Sequence, residues 1–381
     1  MLHVFWQFFK LGWISFGGPA AHIGYFQRHF VQKLGWMPQD RFASTLALCQ
    51  FLPGPASSQV GFALGYQRAG LFGAIAAFIG FTLPSFLLML GLSLAGKAWA
   101  AQPGALAIVT GLKLFALVVV ADAVWSMAKQ FCRQPSTLTI AVLSAAFLWL
   151  LPSFGSQFVV LVAAALMGAC LLKNEAVAER TPPQQLTVSW PFLVVFFGLL
   201  LVMPLLSLTD TAAIFADFYQ AGSLVFGGGH VVLPLLQDLL PESLSTNTFL
   251  TGYGAAQAMP GPMFSLASFL GAELHPSAPV LGALAATFGI FLPGFLLVLA
   301  LQNSWQALAA RPLMAGAARG INAAVVGLLL SALYQPVFTS SISTGGAPAL
   351  AAAALGLLAL RIWRCPIIVL IPIFMLLGFW V

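Results

Sequence analysis

The sequence is poor in charge. Only 6% of its 381 residues are Asp, Glu, Lys or Arg, whereas 60% are hydrophobic and the mean hydropathy is +0.98. A soluble domain carries roughly 25% charged residues, because its surface must stay in contact with water. The composition therefore excludes an ordinary soluble protein and predicts one whose solvent is mostly lipid. No segment is long and polar enough to form a separate soluble domain.

The sequence also lacks the patterns of enzymes and metal proteins. Its four cysteines lie far apart without CxxC spacing, so they indicate apolar filling rather than a metal or disulfide set. There is no Walker motif, no HExxH and no Ser/His/Asp arrangement, which argues against ATP-driven pumping or hydrolysis within this chain. We expect no enzyme activity, no cofactor and no metal. The excess of Lys and Arg is scattered through loops, so it indicates membrane orientation rather than nucleic-acid binding.

Hydrophobic stretches predict an all-α polytopic membrane protein with about thirteen transmembrane helices. A polar stretch at 173–189 separates two series of six, and 190–208 is an extra connector helix. The thirteen predicted spans lie near 4–27, 42–66, 71–96, 105–128, 137–152, 156–173, 190–208, 213–236, 247–272, 278–302, 313–336, 347–361 and 366–381.

The second series repeats the first. Four blocks recur in order at offsets of 207 to 210 residues: Phe16-Gly17-Gly18 as Phe226-Gly227-Gly228, Gln50 with Pro53-Gly54-Pro55 as Gln257 with Pro260-Gly261-Pro262, GFTLPSFLL at 80–88 as GIFLPGFLL at 289–297, and Gly111 as Gly320. We therefore expect an N-terminal repeat over 1–175, a polar linker and connector helix over 176–210, and a C-terminal repeat over 211–381.

The number of crossings decides whether the second repeat is inverted. Six spans plus one connector give an odd number, which turns the second repeat upside down, as in many secondary transporters. If 42–66 and 247–272 are instead re-entrant hairpins, the repeats become parallel. Loop Lys and Arg residues divide eight to four in both arrangements, so charge alone leaves the two open.

Four Gly/Pro interruptions fall inside the predicted spans: Gly17-Gly18-Pro19, Pro53-Gly54-Pro55, Gly227-Gly228-Gly229 and Pro260-Gly261-Pro262. Proline lacks an N–H and pushes the preceding residue out of helical geometry, so these segments should break their helices. Broken backbone within lipid is tolerated only where it is buried in protein or lines a cavity. The alternative is that the glycines only permit close packing and the prolines only kink.

Each interruption creates a new helix N-terminus, whose free N–H groups and dipole attract anions. Hydroxyl groups of Ser57, Ser58 and Ser265 lie just downstream, and the amides of Gln50 and Gln257 lie just upstream. These are suitable donors for a tetrahedral oxyanion. We therefore predict one shared anion site where the four interruptions meet.

Ionisable residues inside the spans are further candidates. Lys113 lies deep in the 105–128 span, and buried charge in a membrane marks function by default. Thr110 and Lys113 correspond to Arg319 and Asn322, so each repeat presents one cation and one neutral polar group on one helix face. The alternative is that Arg319 reaches the membrane surface and Lys113 pairs with a carboxylate.

Two histidines follow the glycine interruptions. His22 and His230 lie a few residues after them but do not align with each other in the repeat. Either imidazole can donate a hydrogen bond to an anion or titrate near neutral pH. An ordinary hydrogen bond inside the protein is the equally simple interpretation.

These motifs resemble the chromate ion transporter family in its long, two-domain bacterial form. The residues that carry the resemblance are Phe16-Gly17-Gly18-Pro19, Ala21-His22-Ile23, Gln50-x-x-Pro53-Gly54-Pro55 and the diverged GGG and PGP copy in the second repeat, where Gly229 replaces Pro19. The resemblance implies a multi-pass protein of the bacterial inner membrane that carries chromate outward and confers resistance, with sulfate as a mimic. It also implies antiparallel repeats, which favours thirteen spans.

The sequence thus predicts a secondary transporter whose partners are a small oxyanion and the lipid bilayer, with a homodimer as one assembly open to it. Uptake or exchange of sulfate or another divalent oxyanion is the alternative within transport. A membrane receptor or scaffold that moves no ion is the alternative from another class, although broken helices would be needless there.

Overall fold

The chain is all helical in the part that the computed structural model describes, residues 1–16, 18–99, 104–172, 187–205, 209–240, 244–309 and 311–381. The first repeat contains seven α-helices: α1 (Leu2–Ile14), α2 (Gly18–Phe26), α3 (Gln39–Phe51), α4 (Ala56–Trp99), α5 (Ala105–Phe131), α6 (Pro135–Leu150) and α7 (Phe154–Leu171). A π-helical segment, Gln27–Lys33, continues α2.

The connector is α8 (Trp190–Val202), as predicted near 190–208. The remaining helices are α9 (Asp210–Leu224), α10 (Val232–Leu239), α11 (Thr246–Ala258), α12 (Leu266–Leu274), α13 (Pro279–Leu301), α14 (Trp305–Ala309), α15 (Pro312–Ala332), α16 (Thr339–Arg361) and α17 (Ile367–Leu377). Short 3₁₀ turns precede α10 at Gly229–Val231 and α12 at Met263–Ser265, and a π-helical segment, Leu333–Phe338, follows α15.

Helix α4 consists of two arms that fold back on each other. Its backbone leaves helical geometry at Ala69 and Gly70, and Gly65 before this turn packs directly against Gly73 after it. Helices α12 and α13 form the same tight hairpin, with Gly271 packed against Gly282. The absence of side chains at these glycines lets two backbones approach closely.

The predicted interruptions are confirmed. The expectation of single helices over 4–27 and 213–236 is wrong, and 42–66 and 247–272 take the hairpin form, one of the two arrangements that the sequence left open. The chain turns back at the interruptions instead of continuing across. In the first hairpin the rings of Phe8 and Phe26 lie 5.5 Å apart. In the last, Gly252 of α11 packs against the ring of Phe269 of α12. A straight helix would separate such residues by about 25 Å.

The second arm of α4, residues 71–99, connects two ends of the molecule. It starts beside Gln67, which lies close to Arg41 in one cavity wall, and runs to Gly96, which lines a different cavity with Glu273. At 1.5 Å per residue, the arm from 71 to 96 is about 39 Å long. We call these two ends the Arg41 side and the Glu273 side.

The two repeats exchange helix contacts. Helix α5 of the first repeat packs against α16 and α17, whereas its counterpart α15 packs against α6 and α7. Gly111 of α5 lies against the backbone of Phe374, and its counterpart Gly320 lies against the backbone of Ala164. Each repeat therefore completes its packing with helices of the other.

The outer surface is apolar, as lipid requires. Helices α6 and α7 expose a row of large hydrophobic side chains: Leu138, Val142, Leu143, Phe147, Leu150, Phe158, Val159, Val162 and Leu166. Five of the described helical segments are also long and apolar enough to cross a bilayer. The chain is a multi-pass membrane protein.

Substitution of Gly111 by Leu should destabilise the protein, because a side chain there would overlap the backbone of α17. Overpacking costs about 1–3 kcal/mol, so the melting temperature in detergent should fall by several degrees. Gly91→Leu is the matched control, since Gly91 of α4 is exposed and a Cβ there meets no atom within 4 Å. Equal melting temperatures of the two variants would contradict the proposed packing.

Candidate functional site

Hydrogen bonds between the two repeats join the interruptions in pairs. Gly54, in the Pro-Gly-Pro segment of the first repeat, donates its N–H to the carbonyl oxygen of Val225 at 2.7 Å. Gly261, its counterpart, donates to the carbonyl oxygen of Ser15 at 2.9 Å. Val225 and Ser15 are the residues that end α9 and α1, just before the glycine interruptions. Each Pro-Gly-Pro segment thus binds the glycine interruption of the other repeat.

Within each repeat, one further set of contacts joins its two interruptions. The buried His22 side chain lies between Ser15 and Ser57, with Nε2 at 3.2 Å from the Ser15 carbonyl oxygen and Nδ1 at 3.4 Å from Ser57 Oγ. In the second repeat, Gly229 packs against the Met263 and Phe264 side chains just after Pro262. The four interruptions therefore form a closed ring of contacts, which we call the break ring.

The two central glycines have backbone conformations that L side chains rarely adopt. The φ angle is +119° at Gly54 and +94° at Gly261. A Cβ atom on Gly54 would lie 3.0 Å from the Gly294 Cα of α13. Their N–H groups are already hydrogen-bonded, so the expected role of the Gly54 amide as a direct anion donor requires correction. Gly54 positions the segment, and other donors remain available around it.

Those donors are buried hydroxyls. Ser15, Ser58 and Ser265 are at most 4% exposed, and their Oγ atoms have no hydrogen-bond partner among the described residues. Ser58 lies in the first turn of α4 and Ser265 immediately precedes α12. Unpaired buried polar groups are costly, so their presence at the end of α1 and at the starts of α4 and α12, beside the interruptions, indicates a site for a polar guest.

Gln59 is a positioning residue that sequence reasoning missed. Its Nε2 atom donates to the carbonyl oxygens of Pro53, at 2.9 Å, and Gly294, at 3.1 Å, and thereby fixes the first Pro-Gly-Pro segment to α13. Comparison of the two repeats could not identify Gln59, because the second repeat has no glutamine at the corresponding position. Ser15 was missed for the same reason, since Val225 replaces it.

The two glutamines that correspond in the repeats have different surroundings. Gln50 is exposed at the end of α3, whereas Gln257 at the end of α11 is partly buried and donates to the sulfur of Met263. Tyr253 hydrogen-bonds to both Gln257 and the Nδ1 atom of His230, the latter at 2.8 Å. His230 therefore belongs to a side-chain network that joins the two interruptions of the second repeat.

The two intramembrane cations lie apart. Asn322 Oδ1 is 3.5 Å from the position of a Cβ on Gly227, so α15 reaches the break ring, and Arg319 lies one turn earlier. Lys113 instead donates to Asn247 Oδ1 at 3.0 Å. Asn247 precedes Gln257 by ten residues, or about 15 Å of helix. The structure does not bring Lys113 to the ring.

The remaining predicted residues lie in or beside the interruptions. Gly17 falls outside the described residues. Gly18 begins α2 and is followed by Pro19, while Gly227 and Gly228 have positive φ angles of 75° and 140°. Further predicted members flank the two central glycines: Pro53, Pro55, Pro260 and Pro262. The ring therefore gathers predicted residues from both repeats.

The sequence model of the chromate transporter family matches this chain twice, at residues 2–169 and 212–379. The chain belongs to the chromate transporter family. One match covers the first repeat and the other covers the second, so each repeat is one copy of the family unit. The break ring is built from both copies.

Several relatives match across most of the chain. The chromate transport protein of Pseudomonas aeruginosa is 28% identical over 342 residues, which cover 86% of this chain and 78% of that protein. The chromate transport protein of Cupriavidus metallidurans is 25% identical, covering 86% and 80%. An uncharacterized transporter of Methanocaldococcus jannaschii is 26% identical, covering 87% and 83%. No solved structure matches this chain.

Gly54→Ala should lower both stability and transport, because the Cβ meets Gly294 and Gln59. Gly70→Ala is the control: its φ of +61° imposes the same kind of backbone strain, but a Cβ there meets no atom within 4 Å. Strain costs about 1–2 kcal/mol in each, and overpacking adds about 1–3 kcal/mol only at Gly54. Melting temperatures and chromate flux that fall equally in the two variants would contradict tight packing at Gly54.

Proposed function

We propose that this chain is a secondary transporter that moves chromate out of the cytoplasm across the bacterial inner membrane and thereby confers chromate resistance. The observation that carries the proposal is the break ring, where helix N-termini and unpaired buried hydroxyls of both repeats meet in the interior. Such a site can bind a tetrahedral dianion without a cationic side chain. Membership of the chromate transporter family supports chromate as the anion.

An inverted arrangement of the two repeats supports transport. The second arm of α4 runs parallel to α12, since Ser268 bonds to the Phe86 carbonyl oxygen and Ser93 bonds to Glu273. Helix α12 is antiparallel to α13 in their hairpin. Because α13 is the repeat counterpart of the second arm of α4, the two counterparts run in opposite directions. Inverted repeats provide alternating access in many secondary transporters.

Inversion requires an odd number of membrane crossings between equivalent helices of the two repeats, and the hairpins are consistent with such a number. We infer that each repeat crosses the membrane four times, through the second arm of α4 or α13 and the three helices that follow, while its two hairpins are re-entrant. Helix α8 adds a fifth crossing before the second repeat. Five is odd, so the second repeat is inverted, with nine crossings in place of thirteen. The boundaries 1–175, 176–210 and 211–381 describe these units.

Charge supports an orientation for this topology. Nine of the described Lys and Arg residues lie on the Arg41 side: Arg28, Lys33, Arg41, Arg68, Lys129, Arg133, Arg311, Arg361 and Arg364. Apart from Lys10, Lys113 and Arg319, which lie away from helix ends, Lys97 is the one other described Lys or Arg, and it lies on the Glu273 side. By the positive-inside rule, the Arg41 side faces the cytoplasm.

Site-directed labelling tests this topology. In a cysteine-free variant in intact cells, Ser277→Cys on the Glu273 side should react with a membrane-impermeant maleimide, because that exposed loop lies outside. Arg133→Cys on the Arg41 side should react only after the membrane is permeabilised. Labelling of Arg133→Cys in intact cells, with Ser277→Cys protected, would reverse the orientation; labelling of both from one side would disprove inversion.

Flux of labelled chromate in proteoliposomes tests the function, with sulfate expected to compete. Ser58→Ala should leave stability nearly unchanged, because its Oγ has no hydrogen-bond partner among the described residues, yet weaken chromate binding. A hydrogen bond to a charged group is worth about 1.5–3 kcal/mol, so half-saturation should rise about tenfold or more. Ser144→Ala, which removes a buried hydroxyl of α6, is the control. Absence of chromate and sulfate flux in the parent protein would refute transport.

A further inference from the structure

Two cavities open at opposite ends of the second arm of α4. The wider one, of about 780 Å³, lies on the Arg41 side between α3, the first arm of α4 and the segment after α13. Its wall reaches Leu48, five residues before Pro53 of the break ring. The narrower cavity, of about 350 Å³, lies on the Glu273 side.

The two cavities are built from the same positions of the repeat. Six wall residues of the wider cavity have counterparts in the narrower one at offsets of 206 to 209 residues. The pairs are Asp40 with Asn247, Arg41 with Thr248, Ser44 with Thr251, Ala63 with Phe269, Gln67 with Glu273, and Trp305 with Gly96, where Gly96 belongs to the first repeat. Two unrelated surface clefts would not share six repeat positions.

Two hydrogen bonds anchor the wall residues Glu273 and Asn247 of the narrower cavity. Ser93, at the end of α4, donates to Glu273 Oε1 of α12 at 2.6 Å. Lys113 of α5 donates to Asn247 of α11 at 3.0 Å. Phe269 fills the place that Ala63 leaves open on the other side. These contacts tie the α11–α12 hairpin to α4 and α5.

The wider cavity has a different chemistry. Gln67 and Gln302, the counterparts of Glu273 and Ser93, both line its wall. Arg41 lies in the same wall with the hydroxyls of Ser44 and Thr45, and Asp40 is its acidic member. The other cations of the Arg41 side add to the positive potential around the opening, which raises the local concentration of anions.

We propose that the Arg41 cavity is the cytoplasmic binding vestibule for the oxyanion, and that the Glu273 cavity is its repeat-related exit, closed by the Ser93–Glu273 and Lys113–Asn247 hydrogen bonds. This inference rests on the proposed function. It gives Lys113 a role away from the break ring, as a residue that positions the exit hairpin. The structure is then the state that is open to the cytoplasm.

Thiol accessibility tests the two cavities without requiring flux. In a cysteine-free protein, Ser44→Cys should react with an impermeant maleimide in inside-out vesicles, and sodium chromate should slow the reaction. Thr251→Cys should react slowly in right-side-out vesicles. Adding Glu273→Ala should accelerate Thr251→Cys about tenfold, as loss of one hydrogen bond to a charged group predicts, and should slow Ser44→Cys.

Two variants control this experiment. Glu273→Gln should change both rates less than Glu273→Ala does, because its neutral amide oxygen still accepts a weaker hydrogen bond from Ser93. Ser223→Ala, which loses only a local bond to Tyr219, should leave them unchanged. If Glu273→Ala changes neither rate, the proposed exit closure is wrong. If chromate fails to protect Ser44→Cys, the vestibule is wrong. A parent protein that shows the predicted rates but moves no chromate would refute transport while retaining the closure.

Discussion

Backbone N–H and C=O groups inside a membrane have no water to bond with, so every interruption of a helix must find partners in the protein. This constraint organises the whole structure. Four interruptions lie in the interior, and each Pro-Gly-Pro segment bonds to the carbonyl group that ends a helix of the other repeat. Neither repeat can satisfy its broken backbone alone. The break ring is therefore a product of duplication, as is the exchange of helix contacts between α5 and α15.

Because backbone groups of the interruptions bond to one another, the side-chain hydroxyls and helix N-termini around them stay available for a bound anion. Gly54 and Gly261 use their own amides to close the ring, while the hydroxyls of Ser58 and Ser265 beside it have no partner in the part of the chain that the structure describes. In the proposed site, the backbone thus holds the architecture together and the side chains bind the anion. An oxyanion held in this way is bound by oriented dipoles, which allows release once one side of the ring opens.

Much of this could be predicted from sequence, because glycine and proline act locally. A glycine between two prolines, such as Gly54, predicts a helix break whatever the surrounding fold. The same motif at Gly261 indicates that both repeats use this break. The direction of the chain after a break is not local: whether α12 continues from α11 or folds back depends on the packing of Gly252 against Phe269. Lys113 was also beyond local reasoning, since its partner Asn247 is distant in sequence. With re-entrant hairpins in place of the four predicted spans, nearly all loop Lys and Arg residues fall on one side of the membrane. In both predicted topologies they divided eight to four.

A structure with bound anion tests the central claim most directly, and selenate or chromate would identify its own position by anomalous scattering. The account predicts the anion at the break ring, within hydrogen-bonding distance of the hydroxyls of Ser58 and Ser265. An anion bound instead beside Lys113, with the break ring unchanged and unoccupied at saturating concentration, would contradict it.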